Sequence, residues 1–316
     1  MPPERVSVLR EFEMIEQPCT GQETLVFESR THTEKFGFTR FVREIKNTDR
    51  PWTDTVILRD EGQVIGSGED PRPFIWRGSP CAIATTFSPK HGPIHKIYVQ
   101  TLNKWILLIP PRSIATGKNW APFVADDNLF FVHAMSPFRI LKARFISEHD
   151  DFMVLDVVAE HPMRTPKSSD GFSQFRGGSN ALQFGDRILG IGHANQRPDR
   201  KDPASMIHRP FVYDYRPGKS VSYYSFDFDF EDTYRIVDPT SLYQKDGITY
   251  LVTSETEQVW HLTPQMGRTC LYSLGRIEEN HEEGFGIGRR RLHRWSHGQA
   301  SAIRRFLGAR SRHQSP

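Results

Sequence analysis

A polar motif followed by an apolar hairpin recurs four times along this chain, and that repeat limits the possible folds more than any other feature. The first copy is Glu69-Asp70-Pro71-Arg72, then Pro73-Phe74-Ile75-Trp76-Arg77-Gly78, then Cys81-Ala82-Ile83-Ala84. The second is Lys118-Asn119-Trp120, then Pro122-Phe123-Val124, a turn at Asp126-Asp127-Asn128, and Leu129-Phe130-Phe131-Val132-His133. The third is Arg176-Gly177-Gly178-Ser179-Asn180, then Ala181-Leu182-Gln183-Phe184, then Ile188-Leu189-Gly190-Ile191-Gly192-His193. The fourth is Asp238-Pro239-Thr240, then Ser241-Leu242-Tyr243, a turn at Lys245-Asp246-Gly247, and Thr249-Tyr250-Leu251-Val252. The hairpins begin at residues 73, 122, 181 and 241, spaced 49, 59 and 60 residues apart.

One four-stranded sheet with its loops fits that period. Short runs rich in β-branched and aromatic residues, such as Thr55-Val56-Ile57-Leu58 and Trp105-Ile106-Leu107-Leu108-Ile109, fill the intervals, and helical periodicity is scarce. One further step back from 73 reaches Phe12 to Phe27, where Met14-Ile15-Glu16 and Thr24-Leu25-Val26-Phe27 make a weaker first copy. The expected fold is therefore all-β, a five-bladed β-propeller over residues 1–288, followed by an Arg-rich extension over 289–316. A two-sheet sandwich is the alternative that the strand spacing allows. Equivalent positions of propeller blades surround one axis, so four polar motifs at the same place in the repeat should face one central site. The copies differ in chemistry, as expected of a site with distinct roles around its rim.

Charge is unevenly spread. Arginines 289, 290, 291, 294, 304, 305, 310 and 312 come with no acid after residue 288, so the rest of the chain carries −5 although the whole carries +3. Such a tail can contact anionic surfaces, or it can be a solvated extension; no specific nucleic acid is implied. No apolar run is long enough to span a bilayer, and the first residues lack the apolar stretch of a secretory signal. Cys19, Cys81 and Cys270 are isolated, which fits a reducing, cytoplasmic setting. No cofactor is indicated. His91 and His95 flank Pro93 without a third nearby ligand, so no metal site is expected.

Each motif admits a functional and a structural reading. Glu69 and Asp70 beside Arg72 offer two carboxylates on a Pro-stiffened turn, suited to general acid or base work, with Asp70 as the leading catalytic candidate. The same three residues could simply order a loop through a salt bridge. Lys118, Asn119 and Trp120 supply a cation, an amide and an aromatic plate for a sugar, or a core Trp beside a solvated Lys. Arg176, Gly177, Gly178 and Asn180 suit an anion approached by backbone N–H groups, or a glycine bulge at a sheet corner. His208 and Arg209 form another anion-binding candidate or a structural pair. Asp238, Glu255 and Glu257 are candidates for a second carboxylate, although the two glutamates also fit a solvated strand.

Glu69-Asp70-Pro71-Arg72 resembles the signature of the five-bladed propeller glycoside phosphorylases and hydrolases of glycoside hydrolase family 130. Lys118-Asn119-Trp120-Ala121-Pro122-Phe123, Arg176-Gly177-Gly178 and His208-Arg209-Pro210-Phe211 look more like a related branch of β-mannosyltransferase-like propellers and proteins of polysaccharide biosynthesis. The resemblance covers roughly residues 20 to 275 and leaves the tail out. It implies inverting transfer of a sugar, often mannose, with Asp70 as the general acid. It also implies that Arg59, Arg176, His208 and Arg209 hold a phosphate or the diphosphate of a nucleotide sugar. The stretch Ser254-Glu255-Thr256-Glu257 departs from the phosphorylases, where an aspartate in a Gly-rich segment is expected. Three functions follow: glycosyl transfer from a sugar phosphate or nucleotide sugar to a glycan acceptor, inverting hydrolysis by Asp70 with Asp238 or Glu255, or glycan and phosphate binding without catalysis.

Overall fold

Turn chemistry cuts this chain into short antiparallel strands that build four-stranded groups in sequence order. The computed structural model describes residues 4–13, 24–46, 55–60, 63–88, 90–114, 117–147, 150–162, 173–199, 201–218, 221–225, 234–257, 266–278, 286–287, 290–291 and 293–294. After a first strand, β1 (Glu4–Glu13), the first group is the meander β2 (Thr24–Thr33), β3 (Gly37–Lys46), β4 (Thr55–Asp60) and β5 (Gln63–Ser67). The second is β6 (Glu69–Trp76), β7 (Ser79–Ser88), β8 (Gly92–Val99) and β9 (Lys104–Ile109). The third is β10 (Ala121–Ala125), β11 (Asn128–Met135), β12 (Phe138–Arg144) and β13 (Phe152–His161).

In the fourth group, β14 (Ser173–Arg176) and β15 (Ala181–Phe184) both pair with β16 (Arg187–Gln196), which continues into β17 (Ile207–Tyr215) and β18 (Val221–Ser225). The last group is β19 (Ile236–Lys245), β20 (Ile248–Thr256) and β21 (Met266–Gly275), and its fourth strand is β1. Glu4 lies opposite Ser273 and Glu13 opposite Met266, so the last sheet is completed from the other end of the described chain.

Three of the four hairpins that carry the repeat share one device. Arg77-Gly78, Asp126-Asp127 and Asp246-Gly247 are two-residue turns with positive φ at both positions, between the paired residues Trp76 and Ser79, Ala125 and Asn128, and Lys245 and Ile248. That is the turn whose twist matches a β-hairpin, and Asp and Gly tolerate it.

Successive groups are glued by separate apolar clusters. Phe41 packs with Ala82 and Tyr98 between the first and second groups. Ile83, Ile97 and Ile106 meet Leu129, Phe131 and Leu141 between the second and third. Phe123, Val132 and Phe138 meet Ile188, Phe211 and Tyr213 between the third and fourth. Leu189, Ile191 and Val212 meet Val237, Leu251 and Cys270 between the fourth and the last. Phe38 packs on Tyr243, Val252 and Leu271 and so joins the last group to the first. The leading strands follow the same circuit: β2 contacts β6, β6 contacts β10, β10 contacts β15, β15 contacts β19, and β19 contacts β2. Burial of these alternating faces drives the arrangement.

Met14-Ile15-Glu16 lies outside the described residues, and the hairpin near the start is β2–β3, with its turn at 34–36. The boundary expected at 288/289 lies outside the described residues. Gly286–Ile287 pairs with Arg290–Arg291, and Arg294 lies opposite Tyr224 of β18. Residues 295–316, with the rest of the basic tail, lie outside the described residues.

Candidate functional site

The four polar motifs meet. Arg72 is buried and joins three of them: its Nε donates to the Gly178 carbonyl, one Nη donates to Asn119 Oδ1 at 2.8 Å, and the other donates to the Asp70 carbonyl at 3.0 Å. A Cβ on Gly177 would collide with the Asn119 carbonyl, and one on Gly178 would lie 3.0 Å from Pro239 Cγ. The two glycines thus let the second, third and fourth motifs close up, which accounts for them by packing alone. The Ser179 N–H is already used, donating to Ile191 O at 2.9 Å.

Asp70 sits where β6 loses its ladder register between Glu69 and Arg72, and its φ is +50°. Asn119, just before β10, also has positive φ, at +64°. Left-handed backbone at a non-glycine residue outside a hairpin turn is strained, and bulges of this kind re-aim a side chain. The Asp70 carboxylate is 36% exposed and lies 4.0 Å from Arg72 Nη2. Glu69 turns to Lys118 instead, with Nζ 2.9 Å from its Oε2, and the same ammonium lies over the Phe87 ring.

Register also gathers a second set. His193 on β16 faces Pro210, while His208 on β17 faces Asn195, so the two histidines are diagonal neighbours on one sheet face. β17 runs parallel to β19 with His208 opposite Ile236, and Asp238 lies two residues further along the same face. His208 Nδ1 is 2.7 Å from Asp238 Oδ1 and His193 Nδ1 is 3.9 Å from it; the two rings lie 5.0 Å apart at 25°. Burial, and then the nearby His208, Arg176 and Arg72, hold the His193 imidazole down at about 3 against the pull of Asp238, so it is neutral near pH 7. Arg176 is exposed and donates to Gln174 Oε1 at 2.6 Å; desolvation by the surrounding protein lowers its pKa, and Asp238 opposes that.

Several expected contacts take other roles. Trp120 is 0% exposed, and its ring lies flat on His95 at 3.8 Å with Phe131 and His133 around it. It is a core plate and offers no face to a sugar. His95 is buried under it and His91 is exposed, so the two histidines part. The Asn180 amide is buried and bonded both ways to Leu242, donating at 2.8 Å and accepting at 2.7 Å. Glu255 is 1% exposed and accepts from Arg268, Tyr272 and Thr253 at 2.8, 2.6 and 2.9 Å, which removes it as a second catalytic carboxylate. One Arg209 Nη is taken by the His208, Tyr234 and Arg235 carbonyls. Arg59 lies on β4, and its side chain is outside the described ones. His193 is the site residue that reading by motif missed. It ends the third repeat, 17 residues after Arg176, and only the β16–β17–β19 register brings it to Asp238.

No protein-family model and no curated protein sequence matches the chain. Solved structures do. One, of a glycoside hydrolase from Parabacteroides distasonis, aligns with a TM-score of 0.54 at 12% identity, over 86% of this chain and 95% of that one. Another, from work on glycoside hydrolases in the GH130 family of mannoside phosphorylases that target β-1,2 mannosidic linkages in Candida mannan, aligns with a TM-score of 0.56 at 11% identity, over 86% and 93%. At these identities the likeness is one of fold, and the all-β fold described above is the one this chain shares with those glycoside-active proteins.

Proposed function

We propose that this chain is a glycan-active enzyme built as a five-bladed β-propeller, each four-stranded group being one blade. It carries out inverting glycosyl transfer to a glycan acceptor from a sugar phosphate or nucleotide sugar, with mannose as the sugar to test first. Asp70 is the general acid or base at the reacting centre. Arg176, His193 and His208 hold the anionic part of the donor, and Glu69, Lys118 and Asn119 line the sugar side. The carrying observation is the left-handed bulge that lifts a partly exposed Asp70 out of the β6 ladder while Arg72 binds the rim together. A partly exposed carboxylate held by backbone strain, with the Arg72 guanidinium 4.0 Å away, suits proton transfer next to a bound anion. The aligned glycoside hydrolase and the GH130-family structure support a sugar substrate through the shared fold.

Inverting hydrolysis is the second reading. It needs two carboxyl groups about 6.5–9.5 Å apart. With Glu255 enclosed by Arg268, Tyr272 and Thr253, Asp238 is the remaining partner for Asp70, and Asp238 is engaged by His208.

The test is a thermal-shift screen against sugar 1-phosphates, nucleotide sugars and neutral oligosaccharides, followed by turnover assays on the hits. Stabilisation by phosphate-bearing sugars, with turnover abolished in Asp70→Asn at an unchanged Tm, supports transfer. Stabilisation by neutral glycans alone, with release of free sugar, would sink it in favour of hydrolysis.

A further inference from the structure

The His193, His208 and Asp238 cluster has the composition and spacing of a metal site. One potential ligand atom from each residue lies within 4.8 Å of the other two. Both imidazoles are buried, while the Asp238 side chain is 37% exposed, so the set is open on the carboxylate side. A tetrahedral ion with bonds of about 2.0–2.1 Å holds its ligand atoms about 3.4 Å apart. The Nδ1–Oδ1 separations of 2.7 and 3.9 Å straddle that value, so small side-chain rotations reach it.

An independent observation points to a missing ligand. His193 Nδ1 is buried and makes no hydrogen bond among the described residues, with Asp238 Oδ1 3.9 Å away, beyond hydrogen-bond range. An orphaned buried imidazole nitrogen is costly, and a bound ion between it and the carboxylate would satisfy it.

We propose that His193, His208 and Asp238 bind one divalent transition-metal ion of the zinc class, whose remaining position takes an anionic oxygen. Two imidazoles and one carboxylate favour such an ion over calcium or magnesium, which prefer all-oxygen ligands. Arg176 and Arg72 both act electrostatically on His193, and that positive surrounding favours an anion over neutral water as the added ligand. The ion site stands on the three ligands alone; only the link from that anion to a donor phosphate rests on the function proposed above.

The experiment is a Co²⁺ titration of chelator-treated full-length protein, followed by visible absorption, with Zn²⁺ competition by calorimetry. One ion per chain is expected, weakened about 100-fold or more in His208→Ala and in Asp238→Asn, and unchanged in His91→Ala. Asp238→Asn keeps the side-chain shape, and circular dichroism and Tm of both variants separate lost ligation from lost folding. No stoichiometric binding, or equal binding in folded Asp238→Asn, overturns the site. Repeating the titration with inorganic phosphate should tighten ion binding, because the coupling is reciprocal. An unchanged affinity overturns the anion half while the ion site stands, and the donor screen judges the enzyme reading separately.

Discussion

Asp238 and Glu255 belong to the same hairpin, yet their surroundings differ in kind. In the β19–β20 register Asp238 faces Ser254 and Glu255 faces Val237, so the two carboxylates leave the sheet on opposite faces. Glu255 is enclosed by a guanidinium and two hydroxyls, and Arg268 in turn lies over the Tyr234 ring. Asp238 meets His208, with an unsatisfied His193 nitrogen nearby. A carboxylate that is 1% exposed and accepts from three side chains serves the fold; one that is 37% exposed beside two buried imidazoles is placed to meet something else.

The largest test of that contrast is Glu255→Ala, which strands a buried Arg268 and should cost about 3–5 kcal/mol in urea unfolding. A loss under about 1 kcal/mol would return Glu255 to the list of catalytic carboxylates. Arg72→Lys comes next. Lysine keeps the charge but cannot fork to Gly178, Asn119 and Asp70, and a loss of about 1.5–3 kcal/mol is expected from the same unfolding curves. If stability is untouched, the motifs do not depend on this guanidinium for their convergence.

His95 gives a smaller, graded effect. Burial, and then Arg72, His133 and Lys118, push its pKa down to about 3 from an ordinary 6.5. The unfolded chain therefore binds a proton that the folded one refuses. The contribution of His95 is complete above pH 6.5 and falls by about 1.4 kcal/mol per pH unit from there towards pH 3. His95→Gln should lower the slope of unfolding free energy against pH by that amount and leave the part due to His193, whose imidazole is held down likewise; an unaltered slope would place the titration elsewhere. Asp238→Asn should cost least, within about 1 kcal/mol, since the side chain is partly exposed. A larger loss would mean that Asp238, like Glu255, is there for the fold.

What the sequence made legible follows the same division. Local chemistry was readable: Asp126-Asp127 and Asp246-Gly247 form the turns that their residue types require, and the strand after each motif pairs as a hairpin. The convergence of the four motifs was readable too, because the repeat alone placed them together. The role of each member was not. Trp120 reads as a sugar plate until His95, from the preceding sheet, is found covering it. Asn180 reads as a ligand contact until its amide is found bonded to Leu242, 62 residues away. His193 carried no motif, because it becomes a neighbour of Asp238 only through two strand pairings. Spacing along a chain reveals which side chains share a face, and it says little about what already occupies that face.

The pairing of β1 with β21 has a consequence for how this molecule comes to exist. Glu4 meets Ser273, so the bonds that complete the last sheet are among the most distant in sequence. Contacts of such high order bear the greatest loop-closure entropy and are expected to form late. Until they do, β21 presents a bare edge of unpaired amides and carbonyls, to which another chain can add. The strand that completes the ring thus also guards against aggregation, and it is drawn from the part of the described chain that is made first and used last.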